Sequence, residues 1–292
     1  MSFFTKPLAK IYNTLYAFYH SRNDADIQKL LMANLVLQNH ATRTEEFIAN
    51  IQAAEFRVFS QWGDDGIIQF LVNYLEIEHK NFIEFGVETY HEATTRFLLV
   101  QNNWSGFVMD SSKRNIERLK AQDIYWRHDV LALPAFVTRN NINQLIIDNG
   151  FENKVGLLHI DIDGNDYWIW KEINAIKPES VIVEYNHRFG ASMPYVMPYT
   201  DKPASGQERG ASLLSLCDLA EEKGYHFIGC ESHGVNAYFV RKDKIKDLSR
   251  LTAQQGYVAA KAGDRFHHSN RQETSVYNTR TNKIESIQLP FS

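Results

Sequence analysis

Short apolar segments alternate with helical patterns through the middle of the chain. Residues 82–86, 106–109, 157–161 and 181–184 predict buried strands, because each is a short apolar run that ends at a glycine or at polar residues. A further short strand is predicted at 124–126. Apolar residues at helical spacing separate these runs. Strands that alternate with helices are typical of a parallel sheet with right-handed crossovers, so the pattern predicts an α/β fold.

The two ends of the chain depart from this alternation. Apolar residues at helical spacing in 1–55 predict a helical N-terminal extension, which we expect to act as a cap or as an arm for a homo-oligomer. Two strand-like runs at 225–230 and 235–241 are joined by a short link, which predicts an antiparallel hairpin. We therefore expect a sheet domain at 56–245 and a tail at 246–292 that packs on it.

Composition and charge narrow the classes of function. The net charge of −4 and the pI of about 6.3 give no electrostatic reason to expect binding to nucleic acid. No apolar run approaches the ~18 residues that a membrane-spanning helix needs. Cys217 and Cys230 fit no disulfide or metal-binding framework, which indicates a reducing compartment, so we expect a cytoplasmic protein.

Carboxylates gather where the predicted strands end. Three of them follow the run 157–161, at Asp161, Asp163 and Asp166. Carboxylates also end other predicted strands, at Glu84, Asp110 and Glu184. Ligands of open α/β sheets bind outside the carboxyl ends of the strands, so we expect these side chains to share one site.

The motifs at these strand ends resemble those of class I S-adenosylmethionine-dependent methyltransferases. Glu84-x-Gly86 is similar to that family's first motif, in which a glycine turn lets the backbone approach the methionine part of the cofactor. Asp110 matches the acidic residue that holds the ribose hydroxyls, and Asp129 with Val130 falls where the family contacts adenine. The resemblance implies a Rossmann-like methyltransferase sheet, mostly parallel with a C-terminal antiparallel hairpin.

A closer resemblance covers about residues 55–241. The segments 60–67 and 103–106 and the string Asp-Ile-Asp-Gly-Asn-Asp-Tyr at 161–167 are similar to a bacterial subgroup near the FkbM-like methyltransferases. That family methylates hydroxyl oxygens, often of sugars, which implies a small-molecule or glycan acceptor. The residues expected to bind the cofactor are Gln61, Glu84, Gly86, Glu88, Asp110, Ser111, Asp129, Val130 and Asp161.

One position departs from the family pattern. The family has a second glycine two positions after Gly86, where this chain has Glu88. We expect its side chain either to narrow the methionine pocket or to replace water contacts there. A blocked pocket would leave a non-catalytic binding or assembly protein with a degenerate methyltransferase fold. A different nucleotide-cofactor enzyme, such as a dehydrogenase, is the other alternative, although the chain lacks Gly-x-Gly-x-x-Gly.

Methyl transfer to an alcohol needs a group that takes up the hydroxyl proton. His187, just after the run 181–184 and near Glu184 and Asp161, is the candidate base that titrates near neutral pH, unless it is a surface histidine. The alternative is Mg²⁺ or Ca²⁺ held by Asp161, Asp163 and Glu184. We favour the metal-free base, because these side chains offer too few certain ligands for a hard cation that takes six or more.

Overall fold

The computed structural model describes residues 27–38, 42–202, 210–260 and 273–288. The chain divides into two units between Arg43 and Thr44. In the first unit, residues 27–38 form helix α1, on which Ile27, Leu31 and Leu35 are exposed at helical spacing. Much of the predicted N-terminal extension lies outside the described residues, and the domain boundaries at 55 and 245 stay predictions.

The second unit is built around a parallel sheet. The strands are β1 (Asn81–Phe85), β2 (Ser105–Asp110), β3 (Val130–Pro134), β4 (Leu157–Ile160), β5 (Ser180–Glu184), β6 (Tyr195–Val196), β7 (Tyr225–Cys230), β8 (Asn236–Arg241), β9 (Glu273–Asn278) and β10 (Lys283–Gln288). The main sheet has the order β3-β2-β1-β4-β5-β8-β7, in which β8 alone runs in the opposite direction to the other six strands. This arrangement confirms the predicted Rossmann-like methyltransferase sheet with a C-terminal hairpin.

Helices cover both faces of the main sheet. They are α2 (Thr44–Ala49), α3 (Asp64–Tyr74), α4 (Arg96–Asn102), α5 (Lys113–Lys120), α6 (Asp123–Arg127), α7 (Ile142–Asp148), α8 (Asp166–Glu172), α9 (Leu213–Lys223) and α10 (Ala253–Gly256). Successive strand residues point to opposite faces, so Phe82 packs in one apolar layer with α3 to α6, and Ile83 packs in the other with α7 to α9. The strand order changes direction between β1 and β4, where sheets of this kind bind ligands.

The prediction of a strand at 124–126 is wrong. These residues lie in helix α6, in which Ile124 is buried and Arg127 pairs with Asp123 one turn earlier. The edge strand β3 begins only at Val130, and its residues alternate between buried and exposed positions. A run of three residues is too short to distinguish one turn of helix from a strand by periodicity.

A second, small sheet comes partly from the predicted tail. Strands β9 and β10 form an antiparallel hairpin, and β9 also pairs with β6, so that Val196 lies opposite Tyr277. The sequence analysis predicted no strands in the tail, because β9 and β10 are mostly polar and Val276 is their one fully buried residue. No helix in the described part of the chain is long and apolar enough to cross a membrane.

Candidate functional site

A sharp turn at Gly86 brings the ends of β1 and β4 together. Gly86 has φ of 78°, and a Cβ atom there would lie 1.6 Å from the carbonyl oxygen of Asp161. Its amide donates to the carbonyl of Met109 at 2.9 Å, which ties the same turn to β2. Only glycine allows this approach, because any other side chain would displace the backbone that follows β4.

The carboxylate of Glu84 lies below this turn and faces away from solvent. It accepts from the backbone amides of Thr94 at 2.9 Å and Thr95 at 3.1 Å, and also from the Thr95 hydroxyl. The Nδ1 atom of His159 lies 3.0 Å from it. Burial lowers the pKa of His159, but its hydrogen bond to Glu84 and the Glu84 charge outweigh burial and raise it. Glu84 therefore holds the loop that leads into α4.

Asp110 ends β2 and is held by three donors. One carboxylate oxygen, Oδ1, accepts from the amide of Ser112 at 2.7 Å and from Nδ2 of Asn115 at 3.3 Å. The other, Oδ2, accepts from the amide of Glu88 at 2.8 Å. These bonds fix the loop after β1 against the end of β2.

A cleft of about 530 Å³ opens at the carboxyl ends of the central strands. Eight of the predicted site residues line it: Gln61, Gly86, Glu88, Asp110, Ser111, Asp161, Asp163 and Glu184. These residues come from the ends of β1, β2, β4 and β5 and from the loop before α3. The strand-end pattern therefore located part of the lining, because the carboxyl ends of parallel strands meet at one end of the sheet.

Four predicted site residues are not brought to the cleft. Glu84 is buried beneath the Gly86 turn. Asp129 and Val130 lie at the amino ends of the strands, away from the cleft. There the Asp129 carbonyl accepts from the Gly106 amide at the start of β2. His187 lies in a short 3₁₀ helix after β5, where the Tyr257 hydroxyl donates to its carbonyl at 2.7 Å.

One wall of the cleft consists of residues that the sequence analysis missed. Ala135, Phe136 and Val137 follow β3 and line the cleft beside the end of β2, where the Ala135 amide donates to the Asp110 carbonyl at 2.9 Å. Their role was hidden because the third strand was predicted too early in the chain. The apolar run that follows Pro134 is the signal that marks them once β3 is placed correctly.

Asp161 and Glu184, which line the cleft, lie close to the buried carboxylate of Asp166. Oxygen atoms of Asp161, Asp166 and Glu184 lie within 4.8 Å of one another. Asp166 takes the position expected for Asp163, because Asp163 has φ of 57° and is exposed. Asp166 also caps its own loop, since its carboxylate accepts from the amides of Ile162 at 2.8 Å and Gly164 at 2.9 Å.

Burial raises the pKa values of all three carboxylates, and neighbouring charges add to its effect at two of them. Burial, with the charges of Asp161 and Asp166, raises the pKa of Glu184 well above its usual range. Burial and the charge of Asp161 raise the pKa of Asp166 to about 7. Burial also raises the pKa of Asp161, while the His159 charge and a hydrogen bond with Glu184 work against it. The group can therefore share a proton, act as a base, or hold a divalent cation.

The segment after β5 closes one side of the cleft. Asn165 donates to the Thr200 carbonyl at 2.6 Å, and Nε1 of Trp168 donates to the Met197 carbonyl at 2.8 Å. The Trp168 ring also contacts Tyr277 of the small sheet, with ring centroids 5.0 Å apart. These contacts hold the segment on α8 and bring Lys202 to the cleft.

No family model matches the sequence. No curated protein matches it. Among solved structures, an O-methyltransferase from Bacillus cereus in complex with SAH is similar at 16% identity and a TM-score of 0.43, over 72% of this chain and 90% of that one. A S-adenosylmethionine-dependent methyltransferase from Clostridium acetobutylicum is similar at 11% identity and a TM-score of 0.42, over 69% and 98%. The N-terminal domain of EvdMO1, determined in the presence of SAH and D-fucose, matches at 10% identity and a TM-score of 0.40, over 70% and 94%. At such identities, the assignment of the fold rests on the strand order of this chain itself.

Proposed function

We propose that this chain is a S-adenosylmethionine-dependent methyltransferase that methylates a hydroxyl oxygen of a sugar or a related metabolite. The observation that carries the proposal is that one cleft joins the Gly86 turn, Asp110, Asp161 and Glu184, at the point where the strand order reverses. The choice of oxygen, and of a sugar, comes from the resemblance of the string at 161–167 to the FkbM-like family.

The residues present fit the cofactor. The cleft of about 530 Å³ is within the size range of cofactor pockets. Gly86 exposes backbone without a Cβ atom, as close contact with the methionine part requires. Asp110 offers a carboxylate for the ribose, and the wall of Ala135, Phe136 and Val137 offers an apolar surface for the adenine ring. Glu88 lines this cleft without filling it, which favours a binding-competent protein over a blocked one.

The central carboxylates supply the base in this proposal. When bound, S-adenosylmethionine provides an electrophilic methyl group on a sulfonium sulfur and leaves as a neutral thioether. Asp161 takes the hydroxyl proton of the acceptor while the new oxygen–carbon bond forms, and protonated Glu184 donates a hydrogen bond to Asp161. A raised pKa makes Asp161 a stronger base than an ordinary carboxylate. We therefore propose Asp161, rather than His187, as the base.

Calorimetric titration with S-adenosylmethionine, S-adenosylhomocysteine and NAD tests the cofactor. We expect both adenosyl compounds to bind, and we expect NAD to give no heat of binding. Binding of NAD alone would indicate a dehydrogenase, and binding of none of the three would indicate a non-catalytic protein. Either result would contradict the proposal.

Transfer of a labelled methyl group to a panel of free sugars and sugar nucleotides tests the chemistry. We expect Asp161→Asn to lower turnover by ~10²–10⁴-fold, because a positioned base contributes that much. His187→Ala should retain turnover, and added chelator should leave it unchanged. The reverse result, with Asp161→Asn active and His187→Ala inactive, would assign the base to His187. Loss on chelation, restored by Mg²⁺ or Ca²⁺, would establish a metal mechanism.

Two further expectations belong with this proposal. A cytoplasmic location is proposed from cysteine usage, and both Cys217 and Cys230 are free thiols. A homo-oligomer through the N-terminal helices is proposed from the exposed apolar residues of α1. Sedimentation of the full chain tests the second expectation, and a monomer at all concentrations would contradict it.

A further inference from the structure

Asp110 has little capacity left to hold a ribose. A carboxylate offers about four lone-pair sites, two on each oxygen. Ser112 and Asn115 occupy both sites on Oδ1, and the Glu88 amide occupies one of the two on Oδ2. The side chain is also 92% buried, as its exposed fraction is 8%. Asp110 can therefore accept one hydroxyl of a vicinal diol at Oδ2, and the second hydroxyl needs another acceptor.

The Glu88 carboxylate is the candidate for this second acceptor. Its own amide donates to Oδ2 of Asp110, so its backbone lies beside the one oxygen that keeps a vacant lone pair. Its side chain is exposed and lines the same cleft. Among the residues that the structure describes, this carboxylate has no hydrogen-bond or ion-pair partner, in contrast to Glu92 on the same rim, which pairs with Arg57 at 2.9 Å.

The backbone at Glu88 has a conformation that glycine adopts more readily than glutamate. Glu88 has φ of 47°, in the left-handed region that favours glycine. A glycine would adopt this conformation without strain and would keep the amide bond to Asp110. Glutamate costs stability there relative to glycine, and a ligand held by its carboxylate would offset that cost.

We propose that Glu88 accepts the second ribose hydroxyl of the adenosyl cofactor, so that Glu88 and Asp110 bind the vicinal diol together. This inference rests on the proposed function. In this inference Glu88, which stands where the family has a second glycine, contributes to cofactor binding. Asp110 positions the loop and accepts one hydroxyl, while Glu88 supplies the free charge.

Calorimetry with S-adenosylhomocysteine and its 2′-deoxy and 3′-deoxy analogues tests the assignment. We expect Glu88→Gly to weaken binding of S-adenosylhomocysteine by about 10- to 100-fold, the range for one hydrogen bond to a charged group. The wild-type chain should lose a similar factor with one of the two deoxy analogues. Glu88→Gly should bind that analogue and S-adenosylhomocysteine equally, because the hydroxyl has lost its partner. Glu88→Gln, which keeps one acceptor oxygen, should fall between the two.

The outcomes separate this inference from the proposed function. Glu117→Gln, a change on the exposed face of α5 outside the cleft, is the control and should bind like the wild type. A Glu88→Gly chain that binds S-adenosylhomocysteine as tightly as the wild type would overturn the inference alone. The inference would also be overturned if Glu88→Gly still bound S-adenosylhomocysteine more tightly than the deoxy analogue by the same factor as the wild type. A wild-type chain that binds no adenosyl compound would overturn the proposed function as well. Thermal melting of each variant shows whether it is folded.

Discussion

Two groups of carboxylates lie close together in this sheet, and they differ in how their charge is balanced. Glu84, on β1, is surrounded by donors from Thr94, Thr95 and His159. Asp161 and Glu184, at the ends of β4 and β5, face each other and Asp166 instead. Asp161 and Glu184 line the cleft, whereas Glu84 does not.

The difference separates a structural carboxylate from candidate functional ones. A buried carboxylate that is surrounded by donors gains nothing from a ligand, and its removal leaves those donors unpaired. Carboxylates that repel one another keep protons at unusually high pH, so they respond to substrate protons or to cations. Position at a strand end does not distinguish the two, because Glu84 is one residue before the end of β1.

The largest effect is expected from removal of Glu84. Glu84→Ala leaves two buried amides, a hydroxyl and His159 without their acceptor, which should lower the free energy of unfolding by about 3–5 kcal/mol. Urea unfolding measures this loss. Glu117→Ala on the exposed face of α5 should change it by less than about 0.5 kcal/mol. An equally small loss for Glu84→Ala would show that the contacts around Glu84 do not stabilise the fold.

A smaller effect is expected in the pH dependence of stability. The pKa of Asp166 rises from 3.8 to about 7 on folding, so between these values the folded chain binds more protons than the unfolded chain. This group therefore stabilises the fold at low pH, and its contribution is lost as pH rises to about 7, by at most about 1.4 kcal/mol per pH unit.

Asp161→Asn should reduce this slope. The change removes the charge that raises the pKa of Asp166, so that pKa should move back toward its usual range. Urea unfolding at a series of pH values compares the wild type, Asp161→Asn and the Glu117→Gln control. Parallel curves for the wild type and Asp161→Asn would contradict the repulsion between Asp161 and Asp166.

The smallest effect on stability is expected from removal of the Tyr90 hydroxyl, which contacts Glu84 only through Thr95. The Tyr90 hydroxyl donates to Oγ1 of Thr95 at 2.9 Å, while the Thr95 hydroxyl donates to Glu84. Tyr90→Phe removes one neutral hydrogen bond and leaves the Glu84 contacts in place, so it should cost about 0.5–1.5 kcal/mol. A loss as large as that of Glu84→Ala would mean that Tyr90 holds the loop by other means.

The sequence predicted several of the strand-end residues that line the cleft, and it predicted the surrounding details less well. Gly86, Asp110, Asp161 and Glu184 were found because the ends of parallel strands converge whatever the loops do. The place of Asp166 in the carboxylate group was missed, because strand alternation does not describe a loop in which Asp163 has φ of 57°. His187 was favoured for its chemistry, yet its orientation depends on a 3₁₀ turn that no periodicity marks.

The missed elements share a physical cause. The helix α6 and the edge strand β3 are short and half exposed, so their hydrophobic periodicity is weak. Strands β9 and β10 are held mainly by backbone pairing and by contacts with β6, about 80 residues earlier, and such nonlocal partners leave no local pattern.

The pairing of β6 with β9 also orders the assembly of the molecule during synthesis. Residues up to Arg241 suffice for every strand of the main sheet, so the Gly86 turn and the carboxylate group can form while the ribosome is still adding residues. The pairing of Tyr195 and Val196 with Asn278 and Tyr277 must wait for the tail, because it closes a long loop at an entropic cost. A nascent chain can therefore form the cleft first and add the contact of Tyr277 with Trp168 last.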